Sequence, residues 1–133
     1  FAFKENTNDI RESPAIFICK NLLNEGAFLS IHDVKVTKEA IEKSLSINKL
    51  DNQDFVKSHE PKWEFQTNLY NAVENSHAVI LLTEWEEYRS IDWVRVSTIV
   101  NSPFWVFDTR LILNVNKIKD LKLNIWQLGF GNN

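Results

Sequence analysis

This 133-residue sequence has little glycine, one cysteine and no methionine. Its three glycines, at positions 26, 129 and 131, cannot form the G-x-G-x-x-G loop that is common in dinucleotide-binding domains. The single cysteine, Cys19, excludes a disulfide within the chain and is typical of a reducing compartment.

Long apolar runs and an excess of positive charge are also missing. The longest apolar run falls far short of the roughly 20 residues that span a bilayer, and no secretory signal begins the chain. The net charge is −3, whereas a nucleic-acid-binding surface normally needs clustered Lys and Arg. We therefore expect a cytoplasmic protein with neither a membrane nor a nucleic-acid partner.

The length and the first residues bear on domain organisation. A chain of 133 residues suits one domain with a sizeable core. Phe1 to Phe3 resemble the end of a strand whose beginning is absent, and there is no initial methionine. We expect residues 1–133 to be a single domain cut from a longer polypeptide, with its first strand truncated.

Short apolar runs alternate with helical patterns along the chain. Ser13 and Pro14 are suited to the cap and first turn of a helix, and Gly26 is suited to its end. A polar turn is predicted after Trp85, and residues 48–61 are polar and irregular. Strands are predicted at 1–3, 27–33, 62–66, 77–83, 104–108 and 124–128, and helices at 14–25, 37–46, 69–74, 92–100 and 117–121.

This alternation predicts an α/β fold with right-handed crossovers. We expect a Rossmann-like, doubly wound, mostly parallel six-stranded sheet in a three-layer α/β/α arrangement. Ligands of such sheets bind beyond the carboxyl ends of the strands. Two cations follow predicted strands, Lys4 and Arg110, and together they would suit a diphosphate or another anion. The alternative is that both are solvated charges paired with Asp9, Glu84 or Asp108.

Arg11 lies two residues before Ser13, the predicted N-cap of the first helix. A cation at this positive helix end is unfavourable by several tenths of a kcal/mol unless an anion compensates. Arg11 is therefore a candidate for anion binding, with a salt bridge to Asp9 or Glu12 as the alternative.

The remaining polar candidates are weaker. Asp33 follows a predicted strand, where an acid can bind a ribose, but a loop or cap hydrogen bond is favoured without a glycine loop. Cys19 falls on the apolar face of a helix and is interpreted as a buried structural thiol. His32, His59 and His77 lack ligand spacing, so no metal site is indicated.

Six short motifs follow one another along the chain and cover it nearly end to end. They are Phe1-Ala2-Phe3-Lys4-x-x-Thr7-x-Asp9-x-Arg11-Glu12-Ser13-Pro14, Asn24-Glu25-Gly26-Ala27, His32-Asp33-x-Lys35-Val36, His77-Ala78-Val79, Thr83-Glu84-Trp85 and Phe107-Asp108-x-Arg110. In this order the motifs resemble the C-terminal domain of the nucleotide-sugar dehydrogenases, the UDP-glucose/GDP-mannose dehydrogenase family. By this resemblance, the length of segment 42–76 favours UDP-glucose over other sugars of the family.

The resemblance implies an NAD-dependent oxidation of UDP-glucose to UDP-glucuronate by two hydride transfers. In the family an N-terminal domain binds NAD, and a central region builds a homo-oligomer. The catalytic Cys, Lys and Asp lie in those parts, so this fragment has no catalytic residue and should be inactive alone. The alternatives are dehydrogenation of UDP-N-acetylmannosamine or GDP-mannose, or a non-catalytic nucleotide-binding module.

By motif position, Phe3, Lys4 and Arg110 match contacts to the UDP-sugar, and Arg11 matches a contact to NAD. Two positions depart from the family pattern. Thr109 stands where glycine is usual, and Leu111 stands where a second basic residue is usual. Both flank Arg110, so the departures concern the loop that carries it.

Overall fold

The computed structural model describes residues 13–46, 62–129 and 131–132. They belong to two compact units, Phe1–Thr67 and Asn68–Asn133. The first unit contains α1 (Pro14–Asn24), β1 (Leu29–Ile31), α2 (Lys38–Ser46) and β2 (Trp63–Phe65). The second contains α3 (Leu69–Val73), β3 (Ala78–Leu81), α4 (Glu86–Arg89), α5 (Trp93–Ile99), β4 (Trp105–Asp108), α6 (Val115–Ile118), β5 (Asn124–Gln127) and β6 (Gly131–Asn132).

Local chemistry sets both ends of α1 in the first unit. The Ser13 hydroxyl accepts a hydrogen bond from the Ala15 amide, and Pro14 occupies the first turn. Gly26, at φ 90°, provides the left-handed residue that ends the helix. The buried residues of α1 are Ala15 and Cys19. The unit's two strands, β1 and β2, pair in parallel.

The second unit is built on a four-stranded sheet in the order β3-β4-β5-β6. The first three strands are parallel, and β6 pairs antiparallel with β5. Leu81, Asp108 and Gln127 lie side by side, each as the last residue of its strand. The carboxyl ends of three parallel strands therefore share one edge of this sheet.

The two faces of this sheet differ in burial. One face carries the buried residues Leu81, Val106, Asp108, Ile125 and Gln127. The other carries a half-buried aromatic row. In this row the ring centroids of Trp105 and Phe107 lie 5.8 Å apart in a stacked arrangement, and those of Phe107 and Trp126 lie 6.3 Å apart. Phe107 thus packs on Trp105, two residues earlier in β4, and on Trp126 of the neighbouring strand β5.

The α/β class and the parallel pairing are confirmed. Every predicted strand and helix within the described residues is present, with ends that shift by at most three residues. The predicted strand at 1–3 lies outside the described residues, so a single six-stranded, three-layer sheet stays a prediction. One domain over residues 1–133 likewise stays a prediction.

Two elements differ from the sequence prediction. Residues 86–89 form the short helix α4 where a polar turn was expected. Its first turn holds Glu86 and Glu87, which suit the positive helix end, and Tyr88 is buried. Strand β6 was not expected, because a two-residue strand that begins with glycine has no recognisable strand pattern.

A membrane-crossing helix is absent from the described parts of the chain. No helix within 13–46 or 62–129 is both long enough and apolar enough to cross a bilayer.

Candidate functional site

Of the four predicted ligand contacts, the structure describes Arg110. Phe3, Lys4 and Arg11 lie outside the described residues, and their roles stay predictions. The site described below lies entirely within the second unit, where the loop formed by residues 109–113 follows β4. This segment is called the Arg110 loop.

Arg110 spans the ends of two neighbouring strands. Its backbone follows β4, and its Nε donates a hydrogen bond of 3.0 Å to the carbonyl oxygen of Leu82, directly after β3. The residue is half-buried. A guanidinium is thereby held at the carboxyl edge of the sheet, where open α/β sheets bind their ligands.

Thr109 fastens the same loop to β3. Its hydroxyl donates to the Leu81 carbonyl oxygen at 2.6 Å, and its amide donates to the same oxygen at 3.3 Å. Leu81 and Asp108 form the last register pair of β3 and β4. Thr109 therefore extends the strand pairing by one residue beyond the ladder, just before Arg110.

Asp108 organises the loop from inside. The residue is 0% exposed. Its Oδ1 accepts hydrogen bonds from the amides of Arg110 and Ile112, at 3.1 and 3.2 Å. Its Oδ2 accepts from the Leu113 amide and from Gln127 Nε2, both at 2.9 Å. Four donors thus satisfy a buried carboxylate, and three of them are amides of the Arg110 loop.

Leu111 holds the strained position of the loop. Its φ is 58°, in the left-handed region that side chains with a Cβ rarely occupy. Thr109 is outside that region, because Asn75 and Leu111 are the non-glycine residues with positive φ in the described part of the chain. The residue that replaces the family's usual glycine therefore fits without backbone strain.

The residues that follow β3 have mainly structural contacts. Thr83 and Trp85 are buried, so neither presents a surface to a ligand. The Glu84 carboxylate lies 3.9 Å from Arg89, which is also 3.6 Å from Glu86. Trp85 and Trp93 are both buried and belong to the core of the unit.

A cavity of about 250 Å³ lies beside the Arg110 loop. Neither Arg110 nor Thr83 contributes to its walls, so the candidate site is placed at the strand ends and not in this cavity. The cavity is lined by Arg89, Ile91, Asp92, Trp93, Val94, Ile112, Leu113, Asn114, Lys117, Ile118 and Leu121.

The weaker candidates resolve into structural roles. The Asp33 carboxylate accepts hydrogen bonds of 2.8 Å from the amides of Lys35 and Val36, the loop role that the sequence favoured. Burial raises the pKa of the Cys19 thiol to about 11, which disfavours the nucleophilic thiolate. Among residues 13–46 and 62–129, no three His, Cys, Asp or Glu side chains lie close enough to bind a metal ion.

Sequence reasoning missed the parts played by Asp108 and Gln127. Asp108 was considered as an ion-pair partner, but its carboxylate binds loop amides instead. Gln127 was not considered at all. The two-residue period of the strand could have indicated this role. Ile125 and Gln127 lie on the same face of β5, so the pattern places the polar side chain of Gln127 at a buried position. A buried polar side chain needs a hydrogen-bond partner.

Comparisons with known proteins agree with the motifs. The model of the UDP-glucose/GDP-mannose dehydrogenase family, UDP binding domain, matches residues 1–115. UDP-glucose 6-dehydrogenase 4 of Arabidopsis thaliana is 37% identical over 139 residues, and UDP-glucose 6-dehydrogenase 2 of the same plant is 34% identical. UDP-glucose 6-dehydrogenase 1 of Oryza sativa subsp. japonica is 32% identical.

These alignments cover nearly all of the chain but a small part of each relative. Each includes 97% of this chain and 28% of the relative. The matched length corresponds to one domain of the longer relatives, and the family model identifies which domain. The chain therefore belongs to the UDP-glucose/GDP-mannose dehydrogenase family and represents its UDP binding domain.

Proposed function

We propose that this chain is the C-terminal, UDP-sugar-binding domain of an NAD-dependent UDP-glucose 6-dehydrogenase. The full-length enzyme would oxidise UDP-glucose to UDP-glucuronate by two hydride transfers. The names of the matched relatives support this substrate, and the match to 28% of their length supports a role as one domain of a larger enzyme. Its partners would be the N-terminal and central domains of the same polypeptide, in a homo-oligomer.

The observation that carries the proposal is the placement of Arg110. Its guanidinium is held across the ends of β3 and β4 by the bond from Nε to Leu82. A nucleotide sugar carries a diphosphate, and planar N–H donors of arginine bind phosphate oxygens with defined geometry. By motif position, Phe3 and Lys4 are proposed as further contacts to the nucleotide sugar.

The described residues do not form a cradle for NAD. A dinucleotide cradle needs glycines where the backbone approaches the pyrophosphate closely. The chain's glycines are Gly26, Gly129 and Gly131, and their spacing cannot form a G-x-G-x-x-G loop. We therefore assign NAD mainly to the N-terminal domain, with Arg11 as the contact proposed from this chain.

With NAD assigned mainly to another domain, the role of this chain is to bind and orient the nucleotide sugar. NAD, when bound, supplies the hydride acceptor. Arg110 neutralises charge on the diphosphate and, because its own position is fixed by the loop, limits where the sugar can lie. Such fixed contacts at a remote part of the substrate help to orient the reacting carbon.

Substitution of Arg110 tests the proposal. A charged hydrogen bond is worth about 1.5–3 kcal/mol, so we expect Arg110→Ala to weaken UDP-glucuronate binding about 10- to 100-fold. Isothermal titration calorimetry on the full-length protein measures this. Arg95→Ala is the matched control, because Arg95 is an exposed arginine of the same unit that stacks on the Tyr70 ring at 4.0 Å.

The control variant should bind UDP-glucuronate as the wild type does. Unchanged affinity in Arg110→Ala would overturn the proposed site. The family also contains GDP-mannose dehydrogenases. Turnover of UDP-glucose, UDP-N-acetylmannosamine and GDP-mannose by the full-length enzyme separates these substrates, and we expect UDP-glucose to be preferred.

A further inference from the structure

Arg110 is oriented through a contact to backbone, and that contact depends on a precise spacing. The Nε atom of Arg110 and the Leu82 carbonyl oxygen are 3.0 Å apart. Hydrogen bonds weaken steeply when the distance or angle departs from the optimum. Whatever fixes the Arg110 loop relative to the end of β3 therefore also fixes the guanidinium.

The Thr109 hydroxyl provides a short direct link between these two segments. It donates to the Leu81 carbonyl oxygen at 2.6 Å, whereas the Thr109 amide reaches the same oxygen at 3.3 Å. The hydrogen bond from the amide is long for a strand ladder, so the hydrogen bond from the hydroxyl is the shorter of the two. The two acceptors, Leu81 and Leu82, are consecutive, as are the two donors, Thr109 and Arg110.

The Arg110 loop is also hydrogen-bonded to the ends of β4 and β5. Asp108 accepts the amide of Arg110 and is itself held by Gln127. These bonds fix the loop to β4 and β5, not to β3. The Thr109 bonds to Leu81 and the Arg110 bond to Leu82 link the loop directly to the β3 end.

We propose that Thr109 is a positioning residue for nucleotide-sugar binding: its hydroxyl fastens the Arg110 loop to β3 and so holds Arg110 in the orientation that binds the diphosphate. The proposal rests on the proposed function of Arg110. Thr109 itself needs no contact with the ligand. Its effect is to order Arg110 before binding, which removes part of the entropic cost of immobilising a long side chain.

The experiment compares Thr109 variants in the full-length protein by calorimetry with UDP-glucuronate. We expect Thr109→Val, which keeps the shape but loses the donor, to weaken binding about three- to tenfold. Thr109→Ser keeps the hydroxyl and should stay within about twofold of the wild type. In steady-state assays, Thr109→Val should raise the KM for UDP-glucose and leave the KM for NAD unchanged.

A double-mutant cycle separates positioning from a general structural effect. If Thr109 acts through Arg110, adding Thr109→Val to Arg110→Ala should cause no further loss of affinity. Thr98→Val is the matched control, because the Thr98 hydroxyl donates to the Arg95 carbonyl oxygen at 2.7 Å in the same unit. This control should bind UDP-glucuronate normally. Thr109→Ala replaces Thr109→Val should the latter not fold.

Three outcomes would overturn the inference. Wild-type affinity in Thr109→Val and Thr109→Ala would show that the hydroxyl is dispensable. Equal losses in the wild-type and Arg110→Ala backgrounds would show that it acts independently of Arg110. Failure of Thr109→Ser to restore binding would also count against it. If Arg110→Ala alone has no effect, the proposed function fails first, so the two failures are distinguishable.

Discussion

At the scale of single residues, Leu111 is the clearest case of a strained backbone conformation. Its φ of 58° places a branched side chain in the left-handed region, and its side chain is 48% exposed. Strain of this kind persists where the surroundings over-determine the conformation and concentrates at functional sites. Here the surroundings are the Asp108 carboxylate, which binds the amides on either side of Leu111.

Leu111→Gly should therefore stabilise the protein. Relief of left-handed strain is worth about 1–2 kcal/mol, and the added freedom of glycine in the unfolded chain offsets part of it. We expect a net gain of about 0.5–1 kcal/mol in the free energy of unfolding, measured by urea denaturation. Leu128→Gly is the control: Leu128 is similarly exposed but has no positive φ, so that variant should lose stability. A loss in both variants would contradict the strain argument.

At the scale of elements, the helices with complete end signals were predicted well. Helix α1 has its cap, its proline and its terminal glycine within the local sequence, and it forms at Pro14–Asn24. Helix α4 has no side-chain cap bond, and its Tyr88 is buried. Local signals sufficed for the first helix, while tertiary burial decided the second.

Arg110 could be identified from the local sequence, whereas the hydrogen bond between Gln127 and Asp108, which supports its loop, could not. Position at a strand end predicted Arg110, because parallel strands of known direction fix which edge binds ligands. The Gln127 bond to Asp108 depends on the register of β5 against β4, which places these two residues opposite each other. Periodicity gives the face of a residue but not the partner across the ladder. The loop's internal support therefore had to be seen in the structure.

The burial of Cys19 in helix α1 can be tested by its chemical reactivity. Burial raises its thiol pKa from 9.0 to about 11, so the fraction of reactive thiolate at pH 8 falls about 100-fold relative to the unfolded chain. We expect iodoacetamide to modify Cys19 at least about 100-fold more slowly in buffer than in urea. Mass spectrometry of the peptide that carries Cys19 follows the reaction. Comparable rates in both conditions would show that α1 does not bury this face.

The direction of the pH effect follows from the same shift. The folded state holds the Cys19 proton more tightly than the unfolded state does. The thiol's contribution to stability is therefore complete below pH 9, and it is lost as the pH rises from about 9 towards 11.

At the scale of the whole molecule, this chain spans 28% of the length of the relatives it matches. Activity is therefore expected only from the full-length enzyme. The described residues supply an arginine held at a sheet edge, and the glycine spacing of the sequence forms no G-x-G-x-x-G loop for a dinucleotide. We infer a division of labour in which this chain holds the nucleotide sugar and the other domains hold NAD and perform the chemistry.

Arg11 and Arg110 then provide a joint test of that division. We expect Arg11→Ala to raise the apparent KM for NAD about 10-fold or more, because one charged contact to a pyrophosphate is lost. UDP-glucuronate affinity should stay unchanged in this variant. Arg110→Ala should show the opposite pattern, with weakened UDP-glucuronate binding and a normal KM for NAD. Steady-state kinetics with each substrate varied, combined with calorimetry, gives both readouts. Parallel effects on both ligands in both variants would mean that the two arginines serve one site, and the division of ligands between domains would then be wrong.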